Sequence, residues 1–514
     1  MRGYVSAYDA QTGEMAWRFY TVPGNPADGF ENAAMEAAAK TWTGEYWKAG
    51  GGGTAWDSMA YDPELNLLYI GVGNGSPWNQ SIRSPEGGDN LYLSSIVALN
   101  PDTGEYVWHY QTTPGETWDY TATQHMILAD IEIEGAVRQV IMQAPKNGFF
   151  YVLDRATGEF ISAKNFVPVT WATHIDPETG RPVEVEAARY YGKEPVLQLP
   201  GPLGAHNWMP MSYSEQTGLV YIPAQEAPWV YGDMANYQQK EGVWNTGTNF
   251  QFAVLPTDRA TFTALKSMVK GRLIAWNPAT QEAAWTVEHA GPWNGGVLST
   301  AGSLVFQGTA DAHFAAYNAE SGEELWRFFT QTGITAAPIT YSIDGEQYVA
   351  VAAGWGGAYT LGFGGVLPTG STADGGRLLV FKIGGDAQLP AVQESVTADL
   401  QVPAPLEVSE EVLAKGSEAY ANRCSVCHGD QAYSYGSIPS LRVSKITGNA
   451  DAWKAVVNGA LAAAGMPDFS KALDEETAEA IRAFVISEAN SERDEDFYKS
   501  IKAPEAAVEP GAGH

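Results

Sequence analysis

The most specific chemistry in this chain lies in five consecutive residues, Cys424-Ser425-Val426-Cys427-His428. Two thiols three positions apart, followed directly by an imidazole, form the C-x-x-C-H pattern that attaches a c-type haem. The thiols add to the two porphyrin vinyl groups, and the histidine lies under the iron as a proximal ligand. The chain has only 2 cysteines, so no structural disulfide elsewhere competes for them. A thioredoxin-like C-x-x-C should open a helix after a strand, whereas this one follows a helical run. A zinc site needs two further soft ligands nearby, and none follows. After His428 the sequence holds one methionine, Met466, and no histidine before His514. Met466 lies in the loop-like Ala464-Gly465-Met466-Pro467 and is left by elimination as the second axial ligand; the other reading makes it core filler.

Four further stretches carry residues that could do chemistry. Gly50-Gly51-Gly52-Gly53-Thr54-Ala55-Trp56-Asp57 lets backbone approach a flat ligand, with Trp56 available to stack. Gly71 to Asn79 carries the amide of Asn74 on a tight turn. Thr117-Trp118-Asp119-Tyr120 sets a carboxylate among aromatic rings, where burial raises a pKa. Gln143 to Gly148 places the lone cation Lys146 at the end of an apolar strand. Taken singly, each reads as structure before function.

The elements that must position these residues are repeated hairpins. Ala7-Tyr8-Asp9-Ala10-Gln11-Thr12-Gly13 runs on to Trp17, and the pattern returns from Ala98 to Trp108, from Ala275 to Trp285 and from Ala316 to Trp326. A variant from Val152 to Glu159 lacks the tryptophan, and Tyr213 to Gly218 reads as a worn copy. Asp or Asn starts the turn, Gly supplies a positive φ, and the next strand follows. A tryptophan at fixed offset can dock on the neighbouring sheet. Self-similar hairpins of this kind predict a β-propeller with one copy per blade, rather than a β-sandwich with coincidental turns. Composition agrees: 514 residues with 17 Trp and 55 Gly favour many short strands. The net charge of −30 argues against a nucleic-acid partner. No apolar run is long enough for a transmembrane segment. From about Ser409 the pattern turns helical. Ser409 caps one helix, which ends at the haem motif, and Asp474 opens another with Ala478, Ile481, Phe484 and Val485 on one face. The expected fold is thus mainly β, a propeller over 1–385, then a linker over 386–405, a small all-α cytochrome c domain over 406–495 and a mobile tail over 496–514.

The docking repeats, G-G-G-T-x-W, G-x-G-N, W-D-Y and the C-terminal C-x-x-C-H together closely resemble the quinohaemoprotein alcohol dehydrogenases of the methanol/ethanol dehydrogenase family. That resemblance implies an eight-bladed propeller holding pyrroloquinoline quinone (PQQ) beside Ca²⁺. It implies PQQ contacts from Trp56, stacked on the ring, and from Thr54, Lys146, Asn207 and Trp293. It makes Asn74 and Asp119 calcium ligands and Asp119 the catalytic base. Thr121 stands where lanthanide-using relatives carry an extra carboxylate, which favours Ca²⁺. The implied reaction oxidises an alcohol to an aldehyde, with electrons leaving through haem c to a cytochrome, a blue copper protein or ubiquinone. Haem c attachment places such a protein in the periplasm. Met1-Arg2-Gly3-Tyr4 enters a strand-like pattern at once, with no signal peptide, and neither the family's adjacent cysteine pair nor its glutamate calcium ligand is present. The chain is therefore expected to lack the family's N-terminal portion, leaving an incomplete propeller. The alternative is a catalytically incomplete propeller–cytochrome fragment serving only electron transfer or binding.

Overall fold

An aspartate or asparagine that caps its own turn, followed by a residue at positive φ, reverses an extended chain into a tight hairpin. The computed structural model describes residues 1–491 except 257, 356–358, 360–375, 391–401, 433–437 and 439. In it, Asp9 Oδ1 accepts hydrogen bonds from the amides of Gln11 and Thr12 at 2.9 and 2.7 Å. Gly13 follows at φ 73°. Asn100, Asp154, Asn277 and Asn318 make the same turn.

Among the described residues these hairpins belong to antiparallel sheets that succeed one another along the chain. Tyr4–Tyr8 and Met15–Tyr20 form a two-stranded sheet. Four four-stranded sheets follow, their last two strands being Ser95–Leu99 and Tyr106–Gln111, Phe149–Asp154 and Phe160–Asn165, Lys270–Asn277 and Glu282–His289, and His313–Asn318 and Glu324–Phe329. Ile339–Ile343, Glu346–Ala353 and Arg377–Lys382 make a three-stranded sheet. The predicted repeat therefore marks the final hairpin of a blade. The supposed copy at Tyr213 to Gly218 does not belong to this series. It joins Ser212–Ser214 to Leu219–Glu226, the first two strands of their sheet, and Ser214 begins the turn where the repeat has Asp or Asn. Conversely, Asp176 to Gly180 makes the same capped turn on a small hairpin outside the blades.

The tryptophan of each repeat docks on the glycine of the next. A Cβ on Gly104 would lie 2.6 Å from the Trp17 ring, one on Gly158 2.5 Å from Trp108, and one on Gly322 2.6 Å from Trp285. Trp17 Nε1 also donates to Pro101 O at 2.8 Å, and Trp285 Nε1 to Ala319 O at 3.0 Å. The third repeat breaks the rule in a paired way. Ser162 stands at its tryptophan position, and the following turn has Gln281 in place of glycine, at φ 56°. Gln281 Nε2 donates to Ser162 Oγ at 2.9 Å. Where no indole presses on the turn, a side chain fills the space.

The helical part follows from its caps. Ser409 accepts from the Val412 amide at the start of Glu410–Arg423, and Asp474 from the Thr477 amide at the start of Glu475–Asn490. The two helices cross so closely that a Cβ on Gly416 would lie 2.1 Å from Ala480 O. Ile481, Phe484 and Val485 are buried between them, on the face expected from their spacing, and Ala478 packs against the same cluster. This unit rests on the excursion between Trp229–Tyr231 and Lys270–Asn277. Lys240 Nζ donates to Ala472 O at 2.7 Å, the Phe250 amide to Asn422 Oδ1 at 2.9 Å, and Arg423 Nη1 to Trp244 O at 3.1 Å. The expected linker lies mostly, and the expected tail wholly, outside the described residues. No helix among the described residues is long and apolar enough to cross a membrane.

Candidate active site

Short glycine-rich strands bring the first two candidate loops together. Gly51–Gly52 pairs with Gly75–Ser76. The Gly53 amide donates to Asn74 O at 2.9 Å, and the Gly73 amide to Thr54 O at 3.0 Å. A Cβ on Gly73 would lie 2.6 Å from Thr54 O, so a larger residue there would force the loops apart. Thr54 and Asn74 thus sit on neighbouring strands of backbone. Trp56 follows and is 43% exposed, so it does not fill a core. The adjacent Asp57 has a buried Oδ2 without a hydrogen-bond partner among the described residues. Burial lifts its carboxyl to about 6, against the pull of the Ser58 amide. Asn74 Nδ2 donates to Gly75 O at 3.0 Å, which leaves Oδ1 as its oxygen for a cation.

Asp119 occupies the loop after Tyr106–Gln111. Its φ is 65°, a sparsely populated conformation for a residue with a side chain. Fully buried rings fix its flanks: Trp118 Nε1 donates to Ala188 O at 3.0 Å and Tyr120 Oη to Pro200 O at 2.6 Å. Lys146 Nζ contacts Asp119 Oδ2 at 3.0 Å, both side chains being largely shielded from solvent. Burial raises the Asp119 carboxyl to about 7; Lys146 opposes that rise and the nearby Glu116 adds to it. The carboxylate that sequence placed among aromatic rings is therefore both buried and shifted upward.

Lys146 is held from the other side by the loop that carries Asn207. A Cβ on Gly204 would lie 2.4 Å from Lys146 Cγ, and the Ala205 amide donates to Lys146 O at 2.9 Å. Asn207 is buried, and its Nδ2 closes this loop on Leu203 O at 2.8 Å. Gln225 joins Trp293 to the same loop. Its Oε1 accepts from the Trp293 amide at 3.2 Å, and its Nε2 donates to Gly204 O at 3.0 Å. Trp293, also at φ 65°, is buried and stacks on Tyr359 with centroids 4.8 Å apart. Its indole N–H has no hydrogen-bond partner among the described residues.

Asp119 and Lys146 thus touch directly, Thr54 and Asn74 adjoin through backbone, and Asn207 and Trp293 reach Lys146 through one loop. The sequence reading missed Glu116, Arg83 and Gln225, which bind these loops to one another. A glutamate three residues before Asp119 was visible, but its burial was not. Beside the Gly204 loop lies a largely apolar cavity of about 300 Å³, lined by Leu203, Ala227, Trp229, Phe252, Leu255 and Tyr359 among others.

At the helical end, Cys424 caps Glu410–Arg423, and one further helical turn, Ser425–His428, carries the other two residues of the motif. The His428 amide donates to Cys424 O at 2.9 Å. Both thiols are free. Burial pushes the Cys424 thiol up to about 12 and raises that of Cys427. Met466 follows Gly465, which has φ 96°, in a loop as expected, and packs against the same apolar cluster as Cys424.

These residues fit the cofactors that the motifs imply. Two reduced thiols, an imidazole and a thioether lie within one small helical unit, as haem c requires. In the propeller, the Trp293 indole N–H and the Asp57 Oδ2 have no hydrogen-bond partner among the described residues, and Gly73 and Gly204 admit no Cβ. The cation donors there are oxygens, which suits a hard ion such as Ca²⁺. Among the described residues no group of three or more His, Cys, Asp or Glu side chains is placed to hold a metal by itself. An amide and one carboxylate therefore need oxygens from elsewhere to complete a shell.

Comparison with known proteins separates this constellation from other propellers. Residues 1–180 and 186–349 match the family described as glucose/ethanol/alcohol dehydrogenase, beta-propeller domain. Residues 411–485 match cytochrome C oxidase, cbb3-type, subunit III. The chain is 52% identical over 488 residues to quinohemoprotein alcohol dehydrogenase ADH IIB of Pseudomonas putida, across 95% of this chain and 69% of that protein. It belongs to the quinohemoprotein alcohol dehydrogenases. As a member of that oxidoreductase family it superposes on the solved quinohemoprotein alcohol dehydrogenase ADHIIG of Pseudomonas putida HK5 with a TM-score of 0.88 at 46% identity, over 98% of this chain and 74% of that one. The enzyme of Comamonas testosteroni gives 0.83 at 46% identity, over 96% and 72%. The family assignment covers both halves of the quinohemoprotein plan, propeller and cytochrome, in the order read from the motifs.

Proposed function

We propose that this chain oxidises alcohols to aldehydes with PQQ and Ca²⁺ and passes the electrons through covalently bound haem c to an external acceptor. The observation that carries this reading is the buried Asp119–Lys146 pair, joined by loop contacts to Thr54, Asn74 and Trp293. Bound there, PQQ supplies the hydride acceptor, calcium the Lewis acid and haem c the one-electron outlet.

The chain's own residues do the rest. Asp119, buried and in contact with Lys146, accepts the proton of the alcohol hydroxyl. Lys146 steers that carboxylate and offers a cation to the quinone oxygens. Trp56 provides the stacking face, Thr54 and Asn207 polar contacts, and Trp293 an indole N–H that has no partner among the described residues. Asn74 and Asp119 supply oxygens to calcium. Thr121 donates to Gln124 Oε1 at 3.2 Å, so that position carries a neutral hydroxyl rather than a further anionic ligand. The apolar cavity beside Leu203 and Tyr359 takes the alkyl or aryl tail of the alcohol. Cys424 and Cys427 form the thioethers, and His428 and Met466 ligate the iron. Residues 1–385 act as the quinone domain and 406–495 as the cytochrome, joined by 386–405 and followed by a tail over 496–514. A periplasmic location and a cytochrome, blue copper protein or ubiquinone as acceptor suit haem c chemistry.

The test is to load the full chain with PQQ and Ca²⁺ and follow haem absorbance as ethanol is added. Asp119→Asn is expected to slow haem reduction by about 10²- to 10⁴-fold with the haem spectrum intact. Equal reduction by Asp119→Asn would remove Asp119 as the base. An intact haem that no alcohol or aldehyde reduces would favour the fragment that serves only electron transfer or binding.

A further inference from the structure

Asn74 and Asp119 lie on separate loops, yet both loops close on one fully buried carboxylate. Glu116 Oε2 accepts from the Gly75 amide at 3.1 Å, next to Asn74. Glu116 Oε1 accepts from the Tyr120 amide at 2.9 Å, next to Asp119. Arg83, equally buried, ties the same loops a second time. Its Nη1 donates to Pro77 O and Trp78 O, and its Nη2 to Glu116 O and Asn90 Oδ1. The guanidinium lies so close to the first loop that a Cβ on Gly75 would be 2.1 Å from Arg83 Cζ. Ser94 Oγ donates to Tyr120 O, and the Ala122 amide to Val72 O at 3.1 Å, completing the clamp.

A buried carboxylate is costly unless hydrogen bonds and an opposite charge offset it. Here two amides and the neighbouring guanidinium offset part of that cost. The bonds go to the residues immediately after Asn74 and Asp119, not to apolar scaffold. Asp119 is meanwhile held at a φ of 65°, which persists only where surrounding contacts over-determine it.

We propose that Glu116, backed by Arg83, is a positioning residue that sets the separation and orientation of Asn74 and Asp119 for the cation. The proposal rests on the calcium-ligand reading above. Residues behind metal ligands commonly change metal affinity 10- to 100-fold when replaced.

The test is an equilibrium Ca²⁺ titration of the full PQQ-loaded, haem-loaded chain, read by tryptophan and PQQ emission rather than by turnover. Wild type, Glu116→Gln, Asn74→Ala and Asp119→Asn are compared below their melting temperatures. Glu116→Gln keeps the shape but replaces one acceptor oxygen with an NH₂ group. It is expected to raise the Ca²⁺ half-saturation about 10- to 100-fold and to speed hydrogen exchange at the Gly75 and Tyr120 amides. A scaffold role alone would lower the melting temperature and leave half-saturation within about twofold; that result overturns the proposal. If Asn74→Ala and Asp119→Asn both bind Ca²⁺ as wild type does, the ligand reading fails and this inference with it. Should Glu116→Gln not fold, Arg83→Lys carries the test with the same expectation, because it keeps the cation and loses the fork across Pro77, Trp78 and Glu116.

Discussion

The two proposed redox sites are built on opposite plans. The proposed haem site is nearly contiguous: Cys424, Cys427 and His428 span one helix end, and Met466 comes from a loop of the same small unit. The propeller site is scattered from Thr54 to Trp293, and no two of its side chains are neighbours in sequence. What unites it is topology. Blades stacked by tryptophan on glycine bring their connecting loops to one place, and Glu116, Gln225 and Gly204 lock those loops together. A local site tolerates disturbance of distant elements; a scattered one inherits every error in blade stacking.

That contrast can be broken at the haem first. Replacing both Cys424 and Cys427 with alanine should abolish haem that survives denaturation, read as loss of haem stain on a denaturing gel. The melting of the propeller and its calcium titration should stay as in wild type. If the propeller transition also collapses, the two sites are not independent.

A blade joint tests the scattered site. Gly104→Ala sets a Cβ against the Trp17 ring at a φ of 73°, and should cost about 2–4 kcal/mol in denaturant unfolding. The third joint sharpens the point. Ser162→Trp alone meets Gln281 and should destabilise by about 1–3 kcal/mol. Adding Gln281→Gly should recover at least half of that loss in a double-mutant cycle. Simple additivity of the two changes would show that indole and glycine are not a matched pair.

Two propeller carboxylates show the difference in electrostatic form. Burial drives Asp119 up to about 7. Asp311 is also pushed up by burial, but the His313 ring, with Nδ1 3.4 Å from Oδ1, and a hydrogen bond from Thr309 outweigh that and hold it at about 2. A carboxyl lowered from 3.8 stabilises the fold above about pH 4, and that contribution fades as pH falls from 4 towards 2. Because the side chain is 31% exposed, solvent screening trims the effect to about 1 kcal/mol. Asp311→Asn should therefore lower stability by that amount at pH 7 and by almost nothing at pH 2, measured as a difference in denaturant midpoint. A gap that persists at pH 2 would assign the loss to packing instead.

Much of this architecture was legible in sequence because its rules are local. C-x-x-C-H needs only one helix turn, and a self-capped turn needs five residues, so haem attachment and the repeated hairpins could be read directly. Tryptophan docking was also foreseen, since its offset from the glycine is constant. The worn copy at Tyr213 to Gly218 misled for the same reason. Its turn resembles the others, and only the sheet shows that it joins first and second strands. Gln281 makes sense only against Ser162 on the preceding blade.

What the sequence by itself determined was the kind of chemistry: two thiols and an imidazole at haem spacing, and a carboxylate, an amide, a cation and indoles on glycine-rich loops. Tertiary structure alone decided which of them meet. Asp119 contacts Lys146 because two blade loops converge, and its carboxyl rises because the folded chain buries it. Glu116 is an ordinary loop glutamate until Gly75, Tyr120 and Arg83 surround it. Burial and convergence depend on contacts between residues far apart in the chain, and no local pattern encodes them.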